Sequence, residues 1–118
     1  MLKVAIVILT DTTPADGLGR VVNALMAAKE FKSANDDVQV IFSGAGTKWI
    51  GELNKPEHLL HSVYKELKTS IVGACSFCAG AFDVADSVKN AGHTMLEEYG
   101  TNMSFQRLVK DGYQVITF

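Results

Sequence analysis

The stretch Ile71-Val72-Gly73-Ala74-Cys75-Ser76-Phe77-Cys78-Ala79-Gly80 decides how the chain reads. A short apolar run ends in a Cys-x-x-Cys pair with small residues on both sides. Both cysteines of the chain lie in it. Ser70–Ala74 has the length and composition of a buried strand. Beyond it Ala81, Val84, Ala85, Val88 and Ala91 recur at helical spacing, which predicts a helix from about Phe77 to Asn90 with Gly92 as its C-terminal stop.

The same alternation extends outward in both directions. Upstream, Leu59, Leu60, Val63, Tyr64 and Leu67 mark a helix over Glu57–Leu67. Before it come a short helix capped by Thr47 and a strand, Val38–Phe42. Leu18, Val21, Val22, Leu25, Ala28 and Phe31 form one stripe of a helix over Pro14–Ala34, which Thr12, Thr13 or Asp16 can cap. Lys3–Leu9 is a continuous Val/Ile-rich run suited to a central strand covered on both faces. Downstream, Thr94–Tyr99 reads as a short strand or a helical turn. Ser104 caps a helix over Phe105–Lys110, Gly112 ends it, and Tyr113–Phe118 is a last strand.

Strands alternating with helices define an α/β protein. The expected architecture is a single domain over residues 1–118 with a flavodoxin-like five-stranded sheet, parallel or mixed, and helices on both faces. The expected strand order is 2-1-3, extended by 4 and 5. Ligands of such sheets bind beyond the C-terminal strand ends, where the order reverses. Thr10–Asp16, Ser43–Thr47 and Cys75–Gly80 form that edge.

The totals narrow the function classes. A chain of 118 residues, 47% hydrophobic and 20% charged, is an ordinary globular domain and not a disordered segment. Net charge is −2 and the Lys and Arg residues are scattered, so nucleic acid is not expected as a partner. No apolar run is long enough to span a bilayer, so no membrane partner is expected. The N-terminal run is short and closes at Asp11 without a small-residue cleavage site, and so reads as a strand and not a signal peptide. The expected compartment is the cytoplasm, where thiols stay reduced and a Cys-x-x-Cys serves catalysis or metal binding more often than stapling.

Cys75 falls at a strand end and Cys78 one turn into the following helix. Free N–H groups and the helix dipole favour an anion there, which lowers a thiol pKa. Three chemistries fit, against a fourth reading in which the cysteines are small packing residues. Dithiol–disulfide exchange uses this spacing, but the thioredoxin arrangement carries a downstream proline, and Pro14 and Pro56 both lie upstream. A Cys2His2 metal site could add His58 and His61. The helix bearing them runs toward the opposite sheet edge, so surface histidines are the simpler reading and no metal or cofactor is expected. Carriage of sulfur as a persulfide needs one activated cysteine and a surface for partners.

A family resemblance joins these features. Lys3–Leu9 opens the chain, and Val38–Ser43 leads into Gly44-Ala45-Gly46. Ile71-Val72-Gly73-Ala74-Cys75 runs into a small-residue helix, and Leu108-Val109-Lys110-Asp111-Gly112-Tyr113-Gln114-Val115-Ile116 closes. In order and spacing this resembles the DsrE/DsrF-like family, which includes the TusD-type sulfur-relay subunits. The resemblance implies a flavodoxin-like fold, homo-oligomers (trimers or hexamers), sulfur-donor and sulfur-acceptor proteins as partners, and sulfur transfer at Cys75. Cys78 lies outside the usual pattern. It leaves room for a dithiol redox protein, or for a binding or interaction module of the same fold.

Two other stretches are candidate ligand contacts. Thr10 and Asp11 open a polar loop after the first strand, without a Gly-x-Gly-x-x-Gly or a P-loop lysine. Gly44, Gly46 and Lys48 could hold an anion on backbone N–H groups beside an ammonium. Trp49 is expected in the core or at a subunit interface, and His93 on a solvent-facing loop.

Overall fold

The computed structural model describes residues 1–118 and bears out the alternation. Five strands, β1 (Lys3–Ile8), β2 (Asp37–Phe42), β3 (Ile71–Cys75), β4 (Met95–Leu96) and β5 (Gln114–Thr117), form one sheet. The helices are α1 (Asp16–Ser33), α2 (Trp49–Leu53), α3 (His61–Glu66), α4 (Ser76–Ala81), α5 (Ala85–Asn90) and α6 (Phe105–Lys110). Every strand pairing is parallel, so the mixed alternative is excluded. No helix is long and apolar enough to cross a membrane.

The strand order is 4-3-2-1-5 and not the expected 2-1-3 extended by 4 and 5. The chain steps one position in a constant direction from β1 to β4, then returns to the far side of β1. Right-handed crossovers therefore place α1 to α5 on one face and α6 on the other. The core divides accordingly. Val4, Ile6, Ile8, Val40, Phe42 and Ala74 pack with the buried residues of α1 to α5. Ala5, Val7, Ile41, Cys75 and Leu96 pack with Met103 and with Leu108 of α6. Successive strand residues point to opposite faces, so the apolar run of β1, central and covered on both sides, is fully buried over Val4–Ile8.

Local chemistry sets the element ends. At the start of α1 the Thr13 hydroxyl accepts from the Gly17 N–H at 2.7 Å. Ser104 caps α6, accepting from the Arg107 N–H at 3.0 Å. The expected helix over 77–90 is broken. Asp83 adopts φ +56°, and the Val84 N–H reaches back to the Ala79 carbonyl at 2.8 Å. This closure ends α4 before α5 begins. The helix expected over Glu57–Leu67 is also shorter, with turns before His61. Gly46 and Gly73 mark close approaches. A Cβ on Gly46 would lie 1.9 Å from the Ile8 carbonyl oxygen, and one on Gly73 would lie 2.3 Å from that of Thr94.

The revised order moves the reversal point. The connection after β3 leaves toward α4, on the five-helix face, and the connection after β4 leaves toward α6, on the other. The crevice where neighbouring connections diverge therefore lies between the C-terminal ends of β3 and β4. Cys75 is the last residue of β3 and stands opposite Leu96, the last of β4.

Candidate functional site

Strand alternation turns Ala74 toward the five-helix face and Cys75 toward the α6 face. The Cys75 thiol meets the Asn102 side-chain oxygen at 3.6 Å. One turn along, the Cys78 sulfur lies 3.8 Å from the Ser43 hydroxyl. Ser43 directly follows β2. The pairing of Phe42 with Ala74 places it beside Cys75. Four side chains from three connections thus meet at one strand end: Ser43, Cys75, Cys78 and Asn102.

The two thiols differ in exposure. Cys75 is buried, with 1% of its surface accessible, whereas Cys78 is half-buried. Neither lines any of the four surface cavities. The cover over Cys75 is the segment after β4. Glu98 and Tyr99 N–H groups both bond the Asn102 carbonyl, closing a tight turn with Gly100 at φ +58°. The Phe77 N–H donates to the Thr101 carbonyl at 2.7 Å, and the Ser76 hydroxyl to Glu97 at 2.8 Å. Glu98 accepts from the Ser104 N–H and pairs with the Arg107 guanidinium at 2.5 Å, fixing the far side of the turn.

The surroundings split the thiols chemically. Burial pushes the Cys75 thiol up, but the Cys78 and Met103 N–H groups and the Cys78 and Ser43 side chains outweigh it, and its pKa falls below the ordinary 9.0. Burial pushes Cys78 up, and its hydrogen bond to Cys75 adds to that. The Gly44 N–H and the Ser43 hydroxyl only partly offset the rise. Favouring one thiolate while holding its neighbour protonated is the arrangement that activates a single nucleophile.

The other candidate residues form a second corner of the same edge. Asp11 and Lys48 pair at 2.6 Å. The Lys48 ammonium and the Thr12 N–H hold the Asp11 carboxyl below the usual carboxylate range. The ammonium also sits 5.7 Å over the Phe82 ring. The Thr10 carbonyl accepts the Trp49 indole N–H at 3.0 Å. Gly46 lets its backbone pass against Ile8. Of these five, only Gly44 belongs with the cysteines. A shallow cavity of about 300 Å³ opens at the second corner, lined in part by Thr12, Trp49, Glu52 and His58.

Trp49 takes the core place of its two expected ones, 3% exposed. His93 is not a free loop residue: it shares a 2.7 Å hydrogen bond with the Tyr64 hydroxyl. Burial, with Lys68 nearby, lowers the His93 pKa, and burial raises that of Tyr64 to about 12. His58 and His61 turn to local partners, the Leu60 N–H and the Leu53 carbonyl. No group of three or more His, Cys, Asp or Glu side chains is placed to hold a metal ion.

Sequence reasoning did not pair Ser43 or Asn102 with the thiols. The signal for Ser43 was its place at the end of the strand next to β3, which becomes readable only once the strand order is known. Asn102 lies in the segment with the weakest pattern.

The fold and site define a class: a parallel α/β domain with a buried thiol under a turn where the strand order reverses, and a second thiol beside it. Comparison with known proteins makes the class specific. The DsrE/DsrF-like family model matches residues 4–118, and the chain belongs to that family. The chain is 28% identical over 94 residues to the uncharacterized protein MJ0733 of Methanocaldococcus jannaschii, covering 80% of this chain and 76% of that one. It is also similar to the solved structure of a conserved protein of unknown function, BT1422 from Bacteroides thetaiotaomicron. The TM-score is 0.65 at 21% identity, over 97% of this chain and 94% of the other. That likeness shows the fold.

Proposed function

We propose that this protein carries sulfur as a persulfide on Cys75. The observation that carries the reading is the opposed bias of the two thiols, Cys75 toward thiolate and Cys78 toward thiol, in a chain of this family. The Cys75 thiolate attacks the outer sulfur of a donor persulfide. A bond forms from the Cys75 sulfur to that sulfur, the donor's S–S bond breaks, and the donor leaves as a thiolate. No net oxidation occurs. Attack by an acceptor thiolate on the same outer sulfur reverses the exchange and passes the sulfur on. Loading requires the exposed Asn102 side chain to swing off the Cys75 sulfur.

Donor and acceptor proteins in a reducing cytoplasm are part of this reading, as is self-association into trimers or hexamers. The α6 face supports association: one helix covers it, Val72 and Val115 stay half-buried, and Val109 and Phe105 are exposed. An apolar surface of that kind suits contact between copies.

A second reading is an interaction module with inert cysteines, favoured by the burial of Cys75 within the core. One experiment separates them. The protein is treated with a persulfide-loaded cysteine desulfurase, and peptides are mapped by mass spectrometry. Gain of one sulfur atom on Cys75 in Cys78→Ser, absent when Cys75→Ser is added, is expected. An unmodified Cys75 in folded protein sinks the carrier reading.

A further inference from the structure

Cys78 does not itself take up sulfur, yet it lies three residues beyond Cys75 in the same cluster with Ser43 and Asn102. Cys75 is the last residue of β3 and the N-cap of α4, and Cys78 lies in the first turn of that helix, the Cys-x-x-Cys arrangement that dithiol–disulfide pairs use. Cys78 is also the half-exposed member of the pair, while Cys75 is closed off by Asn102 at 3.6 Å. An outside acceptor must displace that cover to reach the persulfide; Cys78 belongs to the same connection as Cys75, three residues on. Ser43, itself buried, sets its hydroxyl 3.8 Å from the Cys78 sulfur and fixes where that sulfur lies.

We infer that Cys78 is a resolving thiol, which makes the protein a sulfane-sulfur reductase that releases hydrosulfide as well as a carrier. The inference rests on persulfide formation at Cys75. Cys78 gives its proton to solvent and its thiolate attacks the inner, Cys75-derived sulfur. The Cys75–Cys78 bond forms, the bond from Cys75 to the outer sulfur breaks, and the outer sulfur leaves with the electron pair as hydrosulfide. The two cysteines are oxidised by two electrons and the sulfane sulfur is reduced by two. A dithiol reductant then returns the disulfide to two thiols. The substrate class is a persulfide, protein-bound or of low molecular weight.

The test uses the full chain, glutathione persulfide as probe, and dithiothreitol as the reductant for turnover. Sulfide is measured together with intact mass. In a single turnover the wild type should release one equivalent of sulfide and end two hydrogens lighter, with Cys75 and Cys78 linked. Cys78→Ser should keep one added sulfur on Cys75 and release sulfide about tenfold more slowly or less. Cys78→Ala, with circular dichroism on both variants, guards against a folding defect. If the wild type instead holds a stable persulfide on Cys75 without the disulfide, or Cys78→Ser releases sulfide as fast, the resolving role is overturned and the carrier reading stands. If no sulfur appears on Cys75 in any of these proteins, both fall.

Discussion

Two corners of one sheet edge carry comparable polar residues and do opposite things with them. At the β1 corner, Asp11 and Lys48 cancel each other at 2.6 Å, and Thr10 spends its carbonyl on Trp49. Every strong group there has a partner of matching chemistry. At the β3 corner, Ser43 has a sulfur for its partner and Cys75 has an amide oxygen. Sulfur is a poor donor and a poor acceptor, so such contacts satisfy little as thiols; the thiolate gives up the Asn102 oxygen but gains from the Ser43 hydroxyl and the Cys78 and Met103 N–H groups. A corner that closes its own charges is a fastening; a corner whose groups become well partnered only in another ionisation state is where reaction belongs.

The largest test removes each corner's close approach. Gly46→Ala drives a Cβ to 1.9 Å from the Ile8 carbonyl, and Gly73→Ala drives one to 2.3 Å from that of Thr94. In both cases the obstacle is backbone and cannot turn aside. Each should lose about 3 kcal/mol, a fall of about 10 °C in Tm, read by thermal unfolding. The two should differ in the thiol. Gly73→Ala pries β4 from β3 and opens Cys75 to iodoacetamide in still-folded protein, while Gly46→Ala leaves the cover in place. Equal alkylation of both would mean that β4 does not hold the cover.

A smaller effect follows from the thiol's own partners. Ser43→Ala removes a donor to the thiolate, worth about 1 kcal/mol, or about fivefold in thiolate fraction. The pH midpoint of Cys75 alkylation, expected below that of an ordinary thiol, should move up. Asn102→Ala should act oppositely on rate, uncovering the sulfur and speeding alkylation severalfold. If Ser43→Ala leaves the midpoint in place, the thiolate owes nothing to that hydroxyl and the two corners differ less than their geometry implies.

Why one corner was legible in the sequence and the other misjudged is a matter of range. Lys3–Leu9, the Ser104 cap and the Gly92 stop are local signals, set by composition and by hydrogen bonds within a few residues, and they stand where the sequence places them. Strand order is not local. A β–helix–β unit has the same apolar period whichever side the next strand takes, so 4-3-2-1-5 was invisible in the pattern. The apolar stripe of residues 81–91 continues through Asp83, and periodicity cannot see a single left-handed residue. With two residues, β4 is too short to show alternation. Cys75 was found because a cysteine at a strand end announces itself. Lys48 pairs with Asp11, 37 positions earlier, and His93 with Tyr64, 29 positions earlier, separations that no local signal spans.

His93 sharpens the comparison from outside both corners. Its folded pKa lies below the ordinary 6.5, so the folded state binds its proton less readily than the unfolded state does. The stability it contributes is present above pH 6.5 and is lost as pH falls through that value toward the folded pKa. Denaturant midpoints measured between pH 7 and 5 should therefore decline modestly in the wild type, and His93→Gln should flatten the decline. Cys78, pushed up from an ordinary 9.0, does not titrate in that window. A decline that survives in His93→Gln would assign the acid sensitivity elsewhere.

The smallest effect expected is at the corner that looks most like a binding site. Asp11→Asn breaks the ion pair with Lys48, yet both side chains remain substantially exposed, and exposed pairs are screened by water and salt. Tm should stay within experimental scatter, and Cys75 alkylation should be unchanged in rate and pH midpoint. The freed ammonium still has the Phe82 ring beneath it at the end of α4, which is the one route by which this change could reach the cysteines. If Asp11→Asn slows or speeds Cys75 alkylation, that route is open and the two corners act as one site. If it does not, the charge pair fastens the loop after β1 and the chemistry of the edge belongs to Ser43, Cys75, Cys78 and Asn102 alone.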